Sequence, residues 1–253
     1  MVLSLALALI GSLVTVLLAA AAVVVKALTP TAGAVATAFG IVIVVFSGVA
    51  FLALLILFVV GSTLATRYRF AEKRDRHVQE GKGGERGVAN VVAHIVLPTA
   101  LAVAGGWNPA WITAPALAVL YAAALAFGAS DTFASEFGVL AGRARSILTL
   151  RPVEPGTNGG VSVRGELAAL LGASTTAVIA LALYAATGVR LPGDLVLVFV
   201  VITGGFVACQ IDSILGEAFE NRGYLTKHGT NFLGMLSAIV IAAGLLAALG
   251  IAL

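Results

Sequence analysis

Long apolar stretches alternate with short polar ones along this chain, and their lengths set the first expectation. Runs of about 20 apolar residues are long enough to cross a bilayer core as helices. The alternating segments of about ten residues that mark a membrane β-barrel do not occur. The pattern predicts spans near 3–25, 31–47, 49–66, 88–106, 111–129, 166–188, 195–212 and 232–252. The stretch 31–66 is the ambiguous one. As one helix it would run about 54 Å at 1.5 Å per residue, against a hydrocarbon core of about 30 Å. A turn at Ser47-Gly48 divides it into two spans; merging it would leave seven. Spans four and five lead into one acidic cluster and spans six and seven into another, a weak parallel repeat.

The polar residues between spans are unevenly placed. Loops 26–30, 67–87, 130–165 and 213–231 carry every lysine and arginine except Arg190. The positive-inside rule puts those loops in the cytoplasm and both termini outside. The eight-span arrangement keeps Lys26 with the other cations, and the seven-span one does not. Met1 leads straight into apolar sequence without a basic n-region, so this stretch is expected to be a first span and not a cleaved leader.

Composition strengthens this picture. The chain is 60% hydrophobic and 11% charged, with a mean hydropathy of +1.08, whereas a soluble domain is about 25% charged. The expectation is an all-α integral membrane protein of about eight spans, a single polytopic domain over 1–253. It is compatible with the plasma membrane of a prokaryote and with a homo-oligomer. The longest loop, 137–165, is too small to build its own core. The basic residues are confined to loops, so the pI near 9.3 is no nucleic-acid signal. Cys209 is the only cysteine and can form no internal disulfide; it reads as an inert core residue.

Candidate chemistry is confined to a few tracts. Asp131-Thr132-Phe133-Ala134-Ser135-Glu136 and Asp212-Ser213-Ile214-Leu215-Gly216-Glu217 share the spacing Asp-x-x-x-x-Glu, each at the cytoplasmic end of a predicted span. Ionisable groups beside a span are costly and usually mark a site. The bland reading, carboxylates that snorkel to water, does not explain the duplication. Residues five apart on a helix point roughly 140° from each other, so both acids of a cluster reach one partner only if the helix breaks. Gly128, Gly138 and Gly216 permit such breaks. The expectation is that Asp131 and Asp212 share a Mg²⁺ while Glu136 and Glu217 orient neighbouring groups.

Two further tracts suit phosphate. In Pro155-Gly156-Thr157-Asn158-Gly159-Gly160-Val161-Ser162, ahead of span six, backbone N–H groups could cradle phosphate. It lacks the Gly-Lys-Ser/Thr of a Walker loop, and a plain tight turn would look the same. Arg67, Arg69 and Lys73 leave the membrane on a helix and could neutralise phosphates, or simply anchor the span. Arg143, Arg145 and Arg151 are further charge partners. Asn221 and Asn231 flank the second acidic cluster and could bind phosphate, base or sugar. His94, inside span four, reads as a hydrogen-bonded core histidine or a ligand. His77 and His228 are loop residues without an evident role. No zinc spacing or serine-nucleophile motif occurs.

Taken together and in order, Gly61-Ser62 through Arg67-Tyr68-Arg69 and Glu72-Lys73, the Asp131 cluster with Gly138, the tract 155–162, Asp212-Ser213 with Gly216, and Asn231-Phe232-Leu233 resemble one family. It is the membrane family that includes animal transmembrane protein 19 and plant phytyl-phosphate kinase. The resemblance covers nearly the whole chain. It extends more distantly to phytol and dolichol kinases and CDP-diacylglycerol synthases, which use CTP. His94 and Asn90 depart from it, standing where Asn and Gln are expected. The resemblance implies a lipid-phosphate kinase that moves a phosphoryl group from CTP to a prenyl monophosphate, such as phytyl or geranylgeranyl phosphate, with Mg²⁺. Two alternatives stay open. A secondary transporter would also use membrane acids and Gly-interrupted helices, and a cytidylyltransferase making a CDP-lipid would use the same groups.

Overall fold

The computed structural model describes residues 5–79, 83–107 and 112–253. Among these, eight helices are long and apolar enough to cross a membrane: α1 (Leu5–Val24), α2 (Pro30–Ser47), α3 (Val49–Arg67), α5 (Val88–Trp107), α6 (Ala114–Gly138), α7 (Val163–Thr187), α8 (Asp194–Leu215) and α9 (Lys227–Ala248). A short helix, α4 (Phe70–Asp75), follows α3, and α8 continues into a π-helical turn, Gly216–Glu220. The start of the predicted fifth span, with Asn108 and Trp111, lies outside the described residues.

Helix starts and breaks follow from local chemistry. Thr29, Thr113, Ser162 and Thr226 cap α2, α6, α7 and α9, each side-chain oxygen accepting from the backbone N–H three residues on. Such caps satisfy donors that have no partner within the helix. Proline in the first turn of α2 and of α6 suits a position where no N–H is needed. Between α2 and α3 a single residue, Gly48 at φ 89°, breaks the run. The length mismatch over 31–66 is resolved there, and eight spans result.

The spans alternate between two faces. On one, Thr29 N–H donates to Arg86 O at 3.1 Å and Arg86 N–H to Ala27 O at 2.9 Å, joining the Lys26 loop to the loop before α5. On the other, Ser47 Oγ donates to Ala102 O at 2.9 Å and Thr113 Oγ1 to Ala252 O at 3.2 Å. The described basic residues of loops 26–30, 67–87, 130–165 and 213–231 therefore share a face, called here the basic face; Lys82 lies outside the described residues.

The buried centre is α6. From Ala116 to Ser130 every side chain is buried. Its alanines let neighbouring helices come close, the usual device where lipid supplies no hydrophobic drive between helices. A Cβ on Gly172 of α7 would lie 2.7 Å from Ala129 O, and one on Gly205 of α8 2.7 Å from Ala126 Cβ. Hydrogen bonds from Tyr121 to Phe51 O and from Tyr184 to Ala118 O tie α3, α6 and α7 together.

The loop between α6 and α7 contains what the sequence pattern did not predict, a small antiparallel sheet. Strands β1 (Ala144–Ser146), β2 (Pro152–Val153) and β3 (Gly160–Val161) lie in the order β2-β1-β3. The Gly-rich tract is the turn between β2 and β3.

Candidate active site

A cavity of about 340 Å³ lies at the basic face, walled by α6, α8 and the starts of α7 and α9 and covered by the β2–β3 turn. Asp131 of α6 and Asp212 of α8 both line it. α6 does not break at Gly128, whose Cα packs against Phe58 and His94. The helix runs on to Gly138, so Asp131 belongs to a helical wall and not to a helix end. α6 ends at Gly138, whereas at Gly216 the helix does not break but widens into a π turn. Gly234 brings α9 against α8, because a Cβ there would lie 3.2 Å from Asp212 Cβ.

Asp212 Oδ1 is buried without a hydrogen-bond partner among the described residues. Leaving a buried acceptor unpaired costs about 1–3 kcal/mol, more for a charged group, so this oxygen marks a place where a partner would be stabilising. Among the described residues that line the cavity, Asp131, Glu166, Asp212 and Glu220 share it with a single lysine, Lys227, while a fifth acid, Glu136, is paired elsewhere. A polyanion would be repelled from such a cavity unless a cation entered with it. Mg²⁺ is held by one or two carboxylates together with waters and substrate phosphates. The donor set fits that demand.

The second acid of each cluster is tied to the protein. Glu136 borders the cavity, but its Oε2 lies 2.7 Å from Nζ of Lys73, a fully buried lysine. The same ammonium donates to Ala65 O at 2.8 Å and Thr66 O at 3.2 Å. Lys73 therefore straps α4 to α3 and α6 and does not reach the cavity. Arg67 donates to Val25 O, and Arg69 pairs with Glu72. Neither lines the cavity, and Arg143, Arg145 and Arg151 are exposed away from it.

Glu217 points into the hairpin. Ser146 Oγ donates to its Oε1 at 2.6 Å, and Leu148 N–H to its Oε2 at 3.3 Å. The π turn instead presents Glu220 to the cavity, where Asn158 Nδ2 donates to Oε1 at 3.0 Å and Thr230 Oγ1 to Oε2 at 3.3 Å. Asn221 lies off the cavity and donates to Asn158 O at 3.4 Å. A π turn adds a residue to the helical repeat and is frequent at functional sites; here it clamps the Gly-rich turn over the two aspartates.

Gly156, Thr157, Asn158, Gly159, Gly160 and Ser162 all line the cavity. Their arrangement differs from an open cradle. Gly160 N–H donates to Thr157 O and Thr157 N–H to Glu154 O, so two donors close the turn itself. Ser162 Oγ is engaged as the α7 cap. Gly159, at φ 77°, faces Glu217, and a Cβ there would sit 2.3 Å from Glu217 Cβ. A side chain at 159 would thus displace the clamp before meeting a phosphate. Asn231 of α9 lines the cavity as well.

Sequence reasoning passed over Glu166, whose carboxylate accepts from Gln210 at 2.9 Å, and gave no role to Glu220, Lys227 or Thr230. An acid in the first turn of a helix is common for dipole reasons, so Glu166 carried no distinguishing signal.

Two of the similar chains are described as membrane proteins. An uncharacterized membrane protein of Methanocaldococcus jannaschii is 29% identical over 203 residues, covering 80% of this chain and 79% of the relative. An uncharacterized membrane protein of Synechocystis is 32% identical over 225 residues, covering 87% and 83%. Protein PGR of Arabidopsis thaliana is 29% identical over 188 residues, covering 68% and 65%. No solved structure matches the chain. The family model described as integral membrane protein DUF92 matches residues 13–244, and the chain belongs to that family.

Proposed function

We propose that the protein is a prenyl-phosphate kinase that uses CTP and acts at the cytoplasmic face of a prokaryotic cell membrane. The observation that carries this reading is the acid-rich cavity, with Asp131 and Asp212, whose Oδ1 has no partner among the described residues, beneath a clamped Gly-rich turn. The motif resemblance supplies the nucleotide and lipid classes, and the positive-inside rule supplies the sidedness.

The chemistry suits these groups. An oxygen of the prenyl monophosphate attacks the γ-phosphorus of CTP, the bond to the β–γ bridging oxygen breaks, CDP leaves, and a prenyl diphosphate forms. The acceptor oxygen is already anionic, so no general base is needed; phosphoryl transfer depends on positioning and charge stabilisation. Asp131 and Asp212 are the residues that would hold Mg²⁺, which when bound neutralises charge on the phosphates. Lys227 adds a cation, while Asn158 and Thr157 border the nucleotide side under the turn. A site at the ends of the helices lets the phosphate meet a water-soluble nucleotide while the prenyl chain stays in the bilayer. Transport sites usually lie near the bilayer midplane.

The test is purified protein with Mg²⁺, a prenyl phosphate, and CTP or ATP labelled at the α- or γ-phosphate. Label from the γ-position of CTP should reach the lipid, and Asp212→Asn should reduce the rate at least about a hundredfold, since 1.36 kcal/mol is tenfold. Transfer of the α-label would make it a cytidylyltransferase. No transfer of either label, or an Asp212→Asn variant of normal rate, would overturn the proposal.

A further inference from the structure

Beneath the two aspartates lies a buried polar pair that the proposed chemistry does not use. His94 of α5 is 3% exposed, and Asn231 of α9 is 2% exposed. His94 Nδ1 lies 2.9 Å from the backbone oxygen of Asn90. His94 Nε2 lies 3.4 Å from Nδ2 of Asn231. The ring is stacked at 29° on Phe58, so its plane is fixed by packing.

For a neutral ring the contacts set which atoms donate. A carbonyl oxygen can only accept, so Nδ1 carries the proton. In the neutral ring Nε2 is then an acceptor and takes a hydrogen from the Asn231 amide nitrogen. An amide turned this way commits its nitrogen to His94, and its carbonyl oxygen is the remaining polar atom of a side chain that lines the cavity. Hydrogen-bond networks of this kind are what assign amide orientation.

Residue spacing brings Asn231 to the side of α9 that meets Asp212. Gly234, which packs on Asp212 Cβ, is three residues beyond Asn231 and so on the same face of α9. Gly128, which packs on His94, is three residues before Asp131 on α6. An oxygen acceptor next to two carboxylates suits a hard cation, because Mg²⁺ accepts carbonyl as well as carboxylate oxygen. It does not suit a phosphate, which needs donors.

We infer that Asn231 presents its carboxamide oxygen to the divalent cation held by Asp131 and Asp212, and that His94 is the positioning residue which fixes this orientation. The inference rests on the cation part of the function proposed above and not on the identity of the nucleotide or lipid. Histidine and the amide behave as an outer contact and a ligand, an arrangement in which loss of the outer contact weakens metal binding about 10- to 100-fold.

The experiment is Mn²⁺ binding to the full-length protein in detergent without nucleotide, read from the resonance signal of free Mn²⁺. Asn231→Ala and His94→Leu should each weaken binding about tenfold or more. His94→Gln, whose carbonyl can accept from the same amide, should stay within a few-fold of the parent. Thermal unfolding of each variant separates loss of affinity from loss of fold. In turnover, His94→Leu should raise the Mg²⁺ concentration needed for half-maximal rate while leaving kcat at saturating Mg²⁺ near that of the parent. If Asp212→Asn abolishes Mn²⁺ binding while a folded Asn231→Ala does not change it, the carboxylate site stands and this inference falls. Equal loss in His94→Leu and His94→Gln would reduce His94 to packing, and a parent protein that binds no Mn²⁺ would overturn the inference as a whole.

Discussion

Glu136→Gln isolates the ion pair that removes Lys73 from the cavity. The substitution keeps the size of the side chain and its bond to Lys73 Nζ in outline, but it takes away the charge. Lys73 is fully buried, and its ammonium then faces only neutral oxygens, those of Ala65, Thr66 and the new amide. Breaking a buried pair by removing one partner typically costs about 3–5 kcal/mol, because a charge is left uncompensated. Replacing both members by neutral groups is far milder, and often neutral. The single variants Glu136→Gln and Lys73→Met should therefore each destabilise the protein, and the double variant should recover most of the loss. The coupling between the two changes should be about 2 kcal/mol or more, near the upper end for residues in contact. The assay is thermal or denaturant unfolding in a fixed detergent, run on all four proteins, with Mn²⁺ and nucleotide binding measured on those that stay folded. If Lys73→Met left stability unchanged but abolished nucleotide binding, the strap would be the wrong account. Lys73 would then be a phosphate ligand that leaves Glu136 when the nucleotide arrives.

The remaining predictions concern topology and packing. Single cysteines at Arg76, Asn158 and His228, in a Cys209→Ser background, should react with a membrane-impermeant thiol reagent only from the cytoplasmic side, and one at the exposed Arg190 only from outside; labelling of position 158 from outside would invert the arrangement. Gly172→Leu and Gly205→Val should lower the unfolding midpoint, because the added Cβ would lie 2.7 Å from α6 atoms in each case. Overpacking of this kind costs about 1–3 kcal/mol, and midpoints unchanged by both variants would mean that α6 is not closely packed there.

How much the sequence revealed depended on how local the cause was. The break at Gly48 was legible because it follows from length alone: 31–66 is too long for one span, and a glycine stands near its middle. The aspartates were legible because charge is expensive beside lipid, whatever the fold. The eight spans and their alternation follow from the same arithmetic. The Lys73–Glu136 pair was not legible, since its partners stand 63 residues apart and Lys73 looked like any juxtamembrane cation. Nor was the clamp on the hairpin. Glycines and a proline identify a turn, but not which of its N–H groups the turn consumes, and that settles how much of Gly156 to Gly160 is left for a phosphate.

The two acidic clusters show where counting along a helix stops being reliable. In the first, an unbroken helix turns Asp131 and Glu136 roughly 140° apart, and Glu136 finds Lys73. In the second, the same spacing leads from Asp212 to Glu217, but the path crosses into the π turn at Gly216. The wider turn shifts every later residue around the axis. Glu217 is carried to Ser146 in the hairpin, and Glu220, three residues further, takes a place at the cavity. The clusters are thus equivalent in their first member and not in their second. Each Asp stands in the cavity wall at the basic face, while each second acid of the repeat fastens a neighbouring segment: α4 in one case, the β-hairpin in the other. The duplicated spacing therefore records two tasks at each cluster, one cavity-facing carboxylate and one anchor. A substitution of the anchor should first be read in stability or loop closure, and only then in chemistry.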